Sequence, residues 1–152
     1  MKKETTAITT ASKKDAQDFF RLEARCFEMK ESSDSIYFWV PMLVHQLCYK
    51  AVIGTKTVGG IIAMPTRNEN MLYINSLFVD PKYRRQGIAS RLLRKIISVA
   101  KDKDIVLDVD PNKKYLLTLY GIHKFKRIST SKNHYRDGED RVTMKRRFLN
   151  FC

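Results

Sequence analysis

Apolar residues recur along this chain in two periods, one helical and one strand-like. In IASRLLRKIISVA (88–100), Ile88, Ala89, Leu92, Leu93, Ile96, Ile97 and Ala100 fall on one stripe, and Arg91, Arg94, Lys95 and Lys101 fall outside it. That spacing predicts a helix with one buried face. Ala16, Phe19, Phe20, Cys26 and Phe27 also share a face and predict a helix over 13–28. SKKD (12–15) supplies its start: Ser12 can accept from the amide three residues on, and Asp15 sits near the positive helix end. KESSDS (30–35) reads as a polar loop. IYFWVPMLVHQLCY (36–49) is the most apolar and aromatic segment. Pro41 suits only the first turn of a helix, so a short helix is predicted over about 41–47. TAIT (6–9) is a short strand. Residues 48–54, 57–65 and 71–79 are β-rich runs separated by the turn-like GTK and RNEN. DIVLDVD (104–110) reads as a buried strand. PNKKYLLTLYGI (111–122) reads as a helix opened by Pro111. FKRIS (125–129) and RVTMKRRFL (141–149) read as closing strands, joined by a long loop with the turn pair Asp137-Gly138. The order β-α-α-β-β-β-α-β-α-β-β predicts an α/β (mixed α+β) fold, with one mixed sheet of six to seven strands and helices on both faces.

A length of 152 residues suits one domain with a single core, and no repeat or linker marks a boundary, so one domain over 1–152 is expected. Hydrophobic residues at 43% and charged residues at 30% exclude a disordered chain. No run approaches the roughly 18 apolar residues of a membrane span. The start, MKKETTAITTASKKD, has a basic tip without an apolar core behind it, unlike a secretory signal. A cytoplasmic protein without membrane association is the expectation. Cys26, Cys48 and Cys152 are far apart and odd in number, and His45, His123 and His134 are scattered. Neither a disulfide framework nor a metal-ligand spacing is present, so no metal is expected. Lys and Arg number 29 against 16 Asp and Glu, a net charge of +13. Such a field draws anions of any kind, whether nucleotides, nucleic acid or acidic proteins, and does not choose among them.

KYRRQGIAS (82–90) narrows that choice. It lies between a strand and the clearest helix. The first amides of a helix lack carbonyl partners and point outward, and the helix dipole adds positive character there. Gly87 lets backbone approach an anion without a Cβ between them. Arg84 and Arg85 add charge-assisted donors. Neither the P-loop spacing nor the dinucleotide G-x-G-x-x-G is present. Spacing alone leaves an anion site and a plain turn both open.

The longer stretch YINSLFVDPKYRRQGIASRLL (73–93) resembles motif A of the GNAT superfamily of N-acetyltransferases: a strand ending in aliphatic-x-Val, an Asp/Pro turn, then [QR]-x-x-G-x-[GA] at a helix start. LDVDPNKKYLLTLYGIHKF (107–125) extends the resemblance, and the order of elements follows the family from about residue 6 to 148. The resemblance implies the GNAT fold and acetyl-CoA as co-substrate. It implies a pyrophosphate cradle from the amides of Arg85, Gln86, Gly87, Ile88, Ala89 and Ser90, with Arg84 at its entry. It also implies that the backbone of Leu77, Phe78 and Val79 pairs with the pantetheine arm. Ala89 stands where the commoner pattern has a second glycine.

Acetyl transfer to an amine needs a base for the ammonium, polarisation of the thioester carbonyl and a proton donor for the leaving thiolate. In the family, an LY pair in the helix after the fifth strand often supplies that donor, and Leu119-Tyr120 is similar to it. Tyr120 lies five residues before Phe125, as in the family ending, although His123 and Lys124 replace a leucine and a glycine. Asp108 in LDV keeps the spacing of the family glutamate twelve residues before the tyrosine. Being one methylene shorter, it would reach the amine through an ordered water. A strand-end carboxylate paired with a lysine is the alternative for Asp108, and Asp110 and Glu69 are weaker candidates for the base. Asn112 is similar to the family asparagine that touches the cofactor, or is a plain helix cap. Tyr37, Phe38 and Trp39 are either core or a wall of the amine pocket, and Glu28, Glu31 and Asp34 could attract a cationic amine. The implied activity is transfer of acetyl from acetyl-CoA to a primary amine, on a small molecule or on a protein or peptide. An RNA-borne amine such as that of aminoacyl-tRNA, or a non-catalytic CoA-binding module, is the alternative. A monomer or a homodimer is compatible with the sequence.

Overall fold

The computed structural model describes residues 4–27, 36–136 and 138–149. The polar loop 30–35, the acids Glu28, Glu31 and Asp34, Asp137 of the turn pair, and Cys152 lie outside the described residues. The elements follow the expected order: β1 (Thr6–Thr10), α1 (Ala16–Cys26), α2 (Ile36–His45), β2 (Leu47–Ile53), β3 (Lys56–Pro65), β4 (Met71–Val79), α3 (Ile88–Ala100), β5 (Asp104–Val109), α4 (Lys114–Ile122), β6 (Lys126–Ser131) and β7 (Arg141–Arg146). The strands form one seven-stranded sheet in the order β1-β2-β3-β4-β5-β7-β6. It is mixed: β4 and β5 run parallel, pairing Met71–Tyr73 with Asp104–Val106, whereas β1 with β2, β2 with β3, β5 with β7 and β6 with β7 are antiparallel.

Packing divides the chain into two compact units. The first joins Met1–Met64 with Asn75–Ile96. Its α1 follows a single 3-10 turn at Lys13–Asp15, where the Ser12 amide donates to the Asp15 carboxylate at 2.7 Å. Lys50 on β2 donates to the other oxygen of Asp15 at 2.8 Å and ties the helix start to the sheet. The core is aromatic. Phe19 meets Phe78 at 5.1 Å and Trp39 at 5.4 Å between ring centroids, edge to face in both pairs. Each such contact adds about 0.5–1.5 kcal/mol beyond simple burial. Gly60 makes room for the cluster, because a Cβ there would lie 2.7 Å from the ring ends of Phe19 and Phe78.

The second helix differs from its expected span. It begins at Ile36, so Pro41 lies inside it and not in its first turn. Trp39 and Leu43 are buried one turn apart, whereas Pro41 and Tyr37 are exposed. The backbone bond that Pro41 cannot make is therefore missing at an exposed position of the helix. Trp39 is wholly buried among Phe19, Phe38 and Phe78, which makes it core and not a pocket wall.

The second unit joins Pro65–Ile74 with Ile97–Cys152. Ile105, Leu107 and Val109 of β5 face its core with Val142 and Met144 of β7. The last helix starts at Lys114 and not at Pro111. Asp110 closes a turn of its own first: its carboxylate accepts from the Asn112 amide at 2.9 Å, and its carbonyl accepts from the Lys113 amide at 3.0 Å. β7 ends at Arg146, three residues before the expected end.

Candidate functional site

The turn singled out in the sequence lies in the first unit, at the head of α3. Asp80 caps a short 3-10 turn, Pro81–Tyr83, by accepting from the Lys82 amide at 3.0 Å. Arg85 and Gly87 then both take left-handed backbone, with φ of 62° and 76°. Left-handed residues of this kind are what an anion nest uses to turn successive amides toward one side. For arginine that backbone costs about 1–2 kcal/mol, so the strain is held locally by the turn. The first bond of the helix is the Arg91 amide to the Gly87 carbonyl, at 3.1 Å. The amides before Arg91 thus form its N-terminal turn, the end with positive character. A Cβ on Gly87 would meet nothing within 4 Å, and Arg84, Arg85 and Gln86 are exposed. The turn is open, basic and lined with backbone, which fits a phosphate group. Ile88 is buried, and Ala89 and Ser90 are half-buried.

The strand that enters this turn is less open. Phe78 is buried in the aromatic core, and Val79 is 8% exposed. The Val79 carbonyl already accepts from Cys26 Sγ at 3.1 Å and from Arg84 Nε at 3.2 Å. The Arg84 side chain is therefore engaged with the end of β4. Asp80, fully buried, accepts from Arg25 at 3.1 Å and lines an open groove of about 410 Å³ with Arg21, Arg25 and Lys56.

The second unit holds the carboxylate. Asp108 lies opposite Thr143 in the β5–β7 register, and Thr143 Oγ1 donates to Asp108 Oδ1 at 2.6 Å. Tyr73, on the neighbouring β4, donates its hydroxyl to Asp108 Oδ2 at 3.1 Å. The loop between β6 and β7 brings His134 Nε2 to 3.8 Å from the same oxygen. Left-handed backbone at Asn133, Arg136 and Gly138 folds this loop, and Tyr135 packs edge-on against His134 at 4.6 Å. Burial, followed by the Asp108 charge, pushes the Tyr73 phenol well above its ordinary value, so it stays a proton donor. Asp108 is thus held by hydroxyls, not by the lysine partner weighed from the sequence. Asp110 is committed to its turn. Glu69 is exposed between β3 and β4, and its carbonyl accepts from Lys103. Asn112 is exposed and lies two residues ahead of α4, whose cap position is Lys113, so it is not the helix cap.

Tyr120 is 6% exposed, its ring 5.7 Å from that of Phe125. Burial raises its phenol well above the ordinary value, with a smaller contribution from Tyr115. The turn after it survives the unusual His123-Lys124. The Phe125 amide donates to the Tyr120 carbonyl at 3.0 Å and the Lys124 amide to the Gly121 carbonyl at 3.1 Å, the paired bonds of a Schellman ending. Lys124 takes the left-handed position, φ 72°, that glycine usually fills, at a cost of about 1 kcal/mol.

Tyr73, His134, Tyr135 and Cys26 were not among the sequence-derived candidates. Tyr73 reads as an ordinary strand residue, and the other three carry no spacing signal. Cys48 is buried, with its thiol pushed up to about 12 by burial. Among the described residues no group of three or more His, Cys, Asp or Glu is placed to hold a metal, and no helix is long and apolar enough to cross a membrane.

Comparison with known proteins decides the family. Residues 13–125 match the acetyltransferase (GNAT) family. The chain belongs to that family. The GNAT match runs from the 3-10 turn before α1 to Phe125 and so includes the turn, Asp108 and Tyr120. The chain is 34% identical to N-alpha-acetyltransferase 30 of Homo sapiens over 106 residues, 66% of this chain and 29% of that protein. It is 34% identical to N-alpha-acetyltransferase RimI of Mycobacterium tuberculosis over 74 residues, 48% of this chain and 47% of that one. The matched regions therefore span less than half of these relatives. The ribosomal-protein-S18-alanine N-acetyltransferase of Escherichia coli has the same fold, with a TM-score of 0.84 at 19% identity over 97% of each chain.

Proposed function

We propose that this GNAT chain acts as one N-acetyltransferase domain that moves the acetyl group of acetyl-CoA directly to an amino group of a protein or peptide. The observation that carries the reading is the open, basic, left-handed turn at Arg84–Ser90 within the family match. The amides of Arg85, Gln86, Gly87, Ile88, Ala89 and Ser90 hold the diphosphate, and the exposed Arg85 adds charge. Bound there, acetyl-CoA supplies an acetyl group activated as a thioester. The backbone of β4 at Leu77 and Phe78 runs beside the pantetheine arm.

Asp108 takes the proton of the incoming ammonium through a water. Tyr73 and Thr143 orient its two oxygens for that task. Tyr120 gives its phenolic proton to the departing sulfur, and burial keeps that phenol in its donor form. Asn112 remains a candidate contact to the cofactor from the loop before α4. The acceptor class rests on the relatives, which are named as N-alpha-acetyltransferases. Those names favour a protein amino terminus over a small-molecule amine.

Isothermal titration of wild-type protein with acetyl-CoA tests the cofactor half of this reading. Saturable binding is expected with a dissociation constant on the order of micromolar, and free CoA should compete for the site. A well-folded protein that binds neither compound would overturn it.

A further inference from the structure

The end of β4 is held by more than its sheet partners. Val79 is its last residue, and two side chains from different elements converge on its carbonyl: Cys26 Sγ from the end of α1 at 3.1 Å, and Arg84 Nε from the turn at 3.2 Å. The neighbours of this carbonyl are tied to the same helix. Ser76 donates to the buried Glu23 at 3.1 Å, and Arg25 donates to the buried Asp80 at 3.1 Å. The last turns of α1 thus grip β4 at Ser76 and Val79, and the next residue, Asp80, ahead of the anion-binding turn.

A carbonyl has two lone pairs, and here both have donors. Arg84 is one of the two charges that the sequence assigns to the pyrophosphate, yet its Nε is spent inside the protein. Cys26 can donate only as a thiol. Burial raises it above its ordinary value, against an opposing pull from Arg84, so it remains S–H at neutral pH.

We infer that Cys26 and Arg84 are positioning residues: their joint hold on the Val79 carbonyl fixes the end of β4 and sets the Arg84–Ser90 turn in its anion-binding geometry. The inference rests on the acetyl-CoA reading above. It withdraws the Val79 carbonyl from the backbone expected to pair with the pantetheine arm and leaves that role to Leu77 and Phe78. Through the Val79 carbonyl it also links α1 to the cofactor turn.

The test compares acetyl-CoA affinity, by isothermal titration, in wild type, Cys26→Ser, Cys26→Ala, Arg84→Met and the Cys26→Ala/Arg84→Met double variant. Hydrogen exchange over residues 76–90 is followed in the unliganded proteins. Cys26→Ala should weaken acetyl-CoA about three- to tenfold and speed exchange at the strand end. Cys26→Ser, whose hydroxyl donates to the same carbonyl, should stay within about twofold of wild type. The double variant should lose more than the product of the single losses, because only there is the part-buried carbonyl left without a side-chain donor. Wild-type affinity in Cys26→Ala would overturn the inference. So would a Cys26→Ser variant as weak as Cys26→Ala, since packing and not donation would then matter. If wild type fails to bind acetyl-CoA, the cofactor reading falls, and unchanged exchange in Cys26→Ala would separately overturn the clamp.

Discussion

Replacing Tyr120 by phenylalanine is expected to lower kcat about 100-fold and to leave acetyl-CoA affinity within about twofold of wild type. The substitution removes one oxygen and keeps the ring that packs on Phe125. Any loss then reports the proton given to the leaving sulfur, not the fold. The pH dependence has a definite sign. Burial favours the neutral phenol, so the folded-state value lies above the ordinary one and the donor form persists below it. Tyr120 therefore imposes no loss of rate until beyond pH about 10. Steady-state release of free thiol from acetyl-CoA, with a peptide acceptor, gives kcat for both proteins. An unchanged kcat would remove Tyr120 from the mechanism.

Gly87→Glu should abolish cofactor binding, with affinity falling about 100-fold or more, equivalent to roughly 2.7 kcal/mol. Two effects combine. The backbone at φ 76° is strained by about 1–2 kcal/mol for a residue other than glycine, which favours relaxation of the turn out of its anion-binding geometry. Its carboxylate also places negative charge at the turn proposed to hold the diphosphate. The space beside Gly87 is open to 4 Å, so the side chain meets no clash and only the backbone strain bears on the fold. Titration with acetyl-CoA measures the loss, and an unchanged circular dichroism spectrum separates it from unfolding. Binding at wild-type strength would place the cofactor elsewhere.

The parts of this protein that sequence reading found are those whose physics is local. The stripe from Ile88 to Ala100 marks a helix because its period is unbroken, and the turn before it announces itself through Gly87 and two arginines. The second helix starts earlier than the sequence predicts because IYFWVPMLVH is apolar on all sides and has no stripe to mark its start. Solvent exposure of Pro41 lessens only the hydrogen-bond part of the proline penalty, and burial of Trp39 and Leu43 on the other face offsets the rest. Pro111 misled in the opposite direction, since the Asp110 turn uses the backbone that a helix start would need. The surroundings of Asp108 depend on strand register. Thr143 and Tyr73 each lie 35 residues away, and only pairing of β4, β5 and β7 makes them partners. Cys26 and Val79 are 53 residues apart, and no spacing rule joins a thiol to a carbonyl at that distance.

The most direct test of acetyl transfer is mass spectrometry of a peptide pool incubated with wild-type protein and acetyl-CoA. Each peptide is supplied with a free and with a blocked amino terminus. One acetyl group should appear on free α-amino termini, release thiol in equal amount and form about 100-fold more slowly in the Tyr120→Phe control. Thiol release without acetylated peptide, or no reaction by a protein that binds acetyl-CoA, would contradict transfer to a peptide amine.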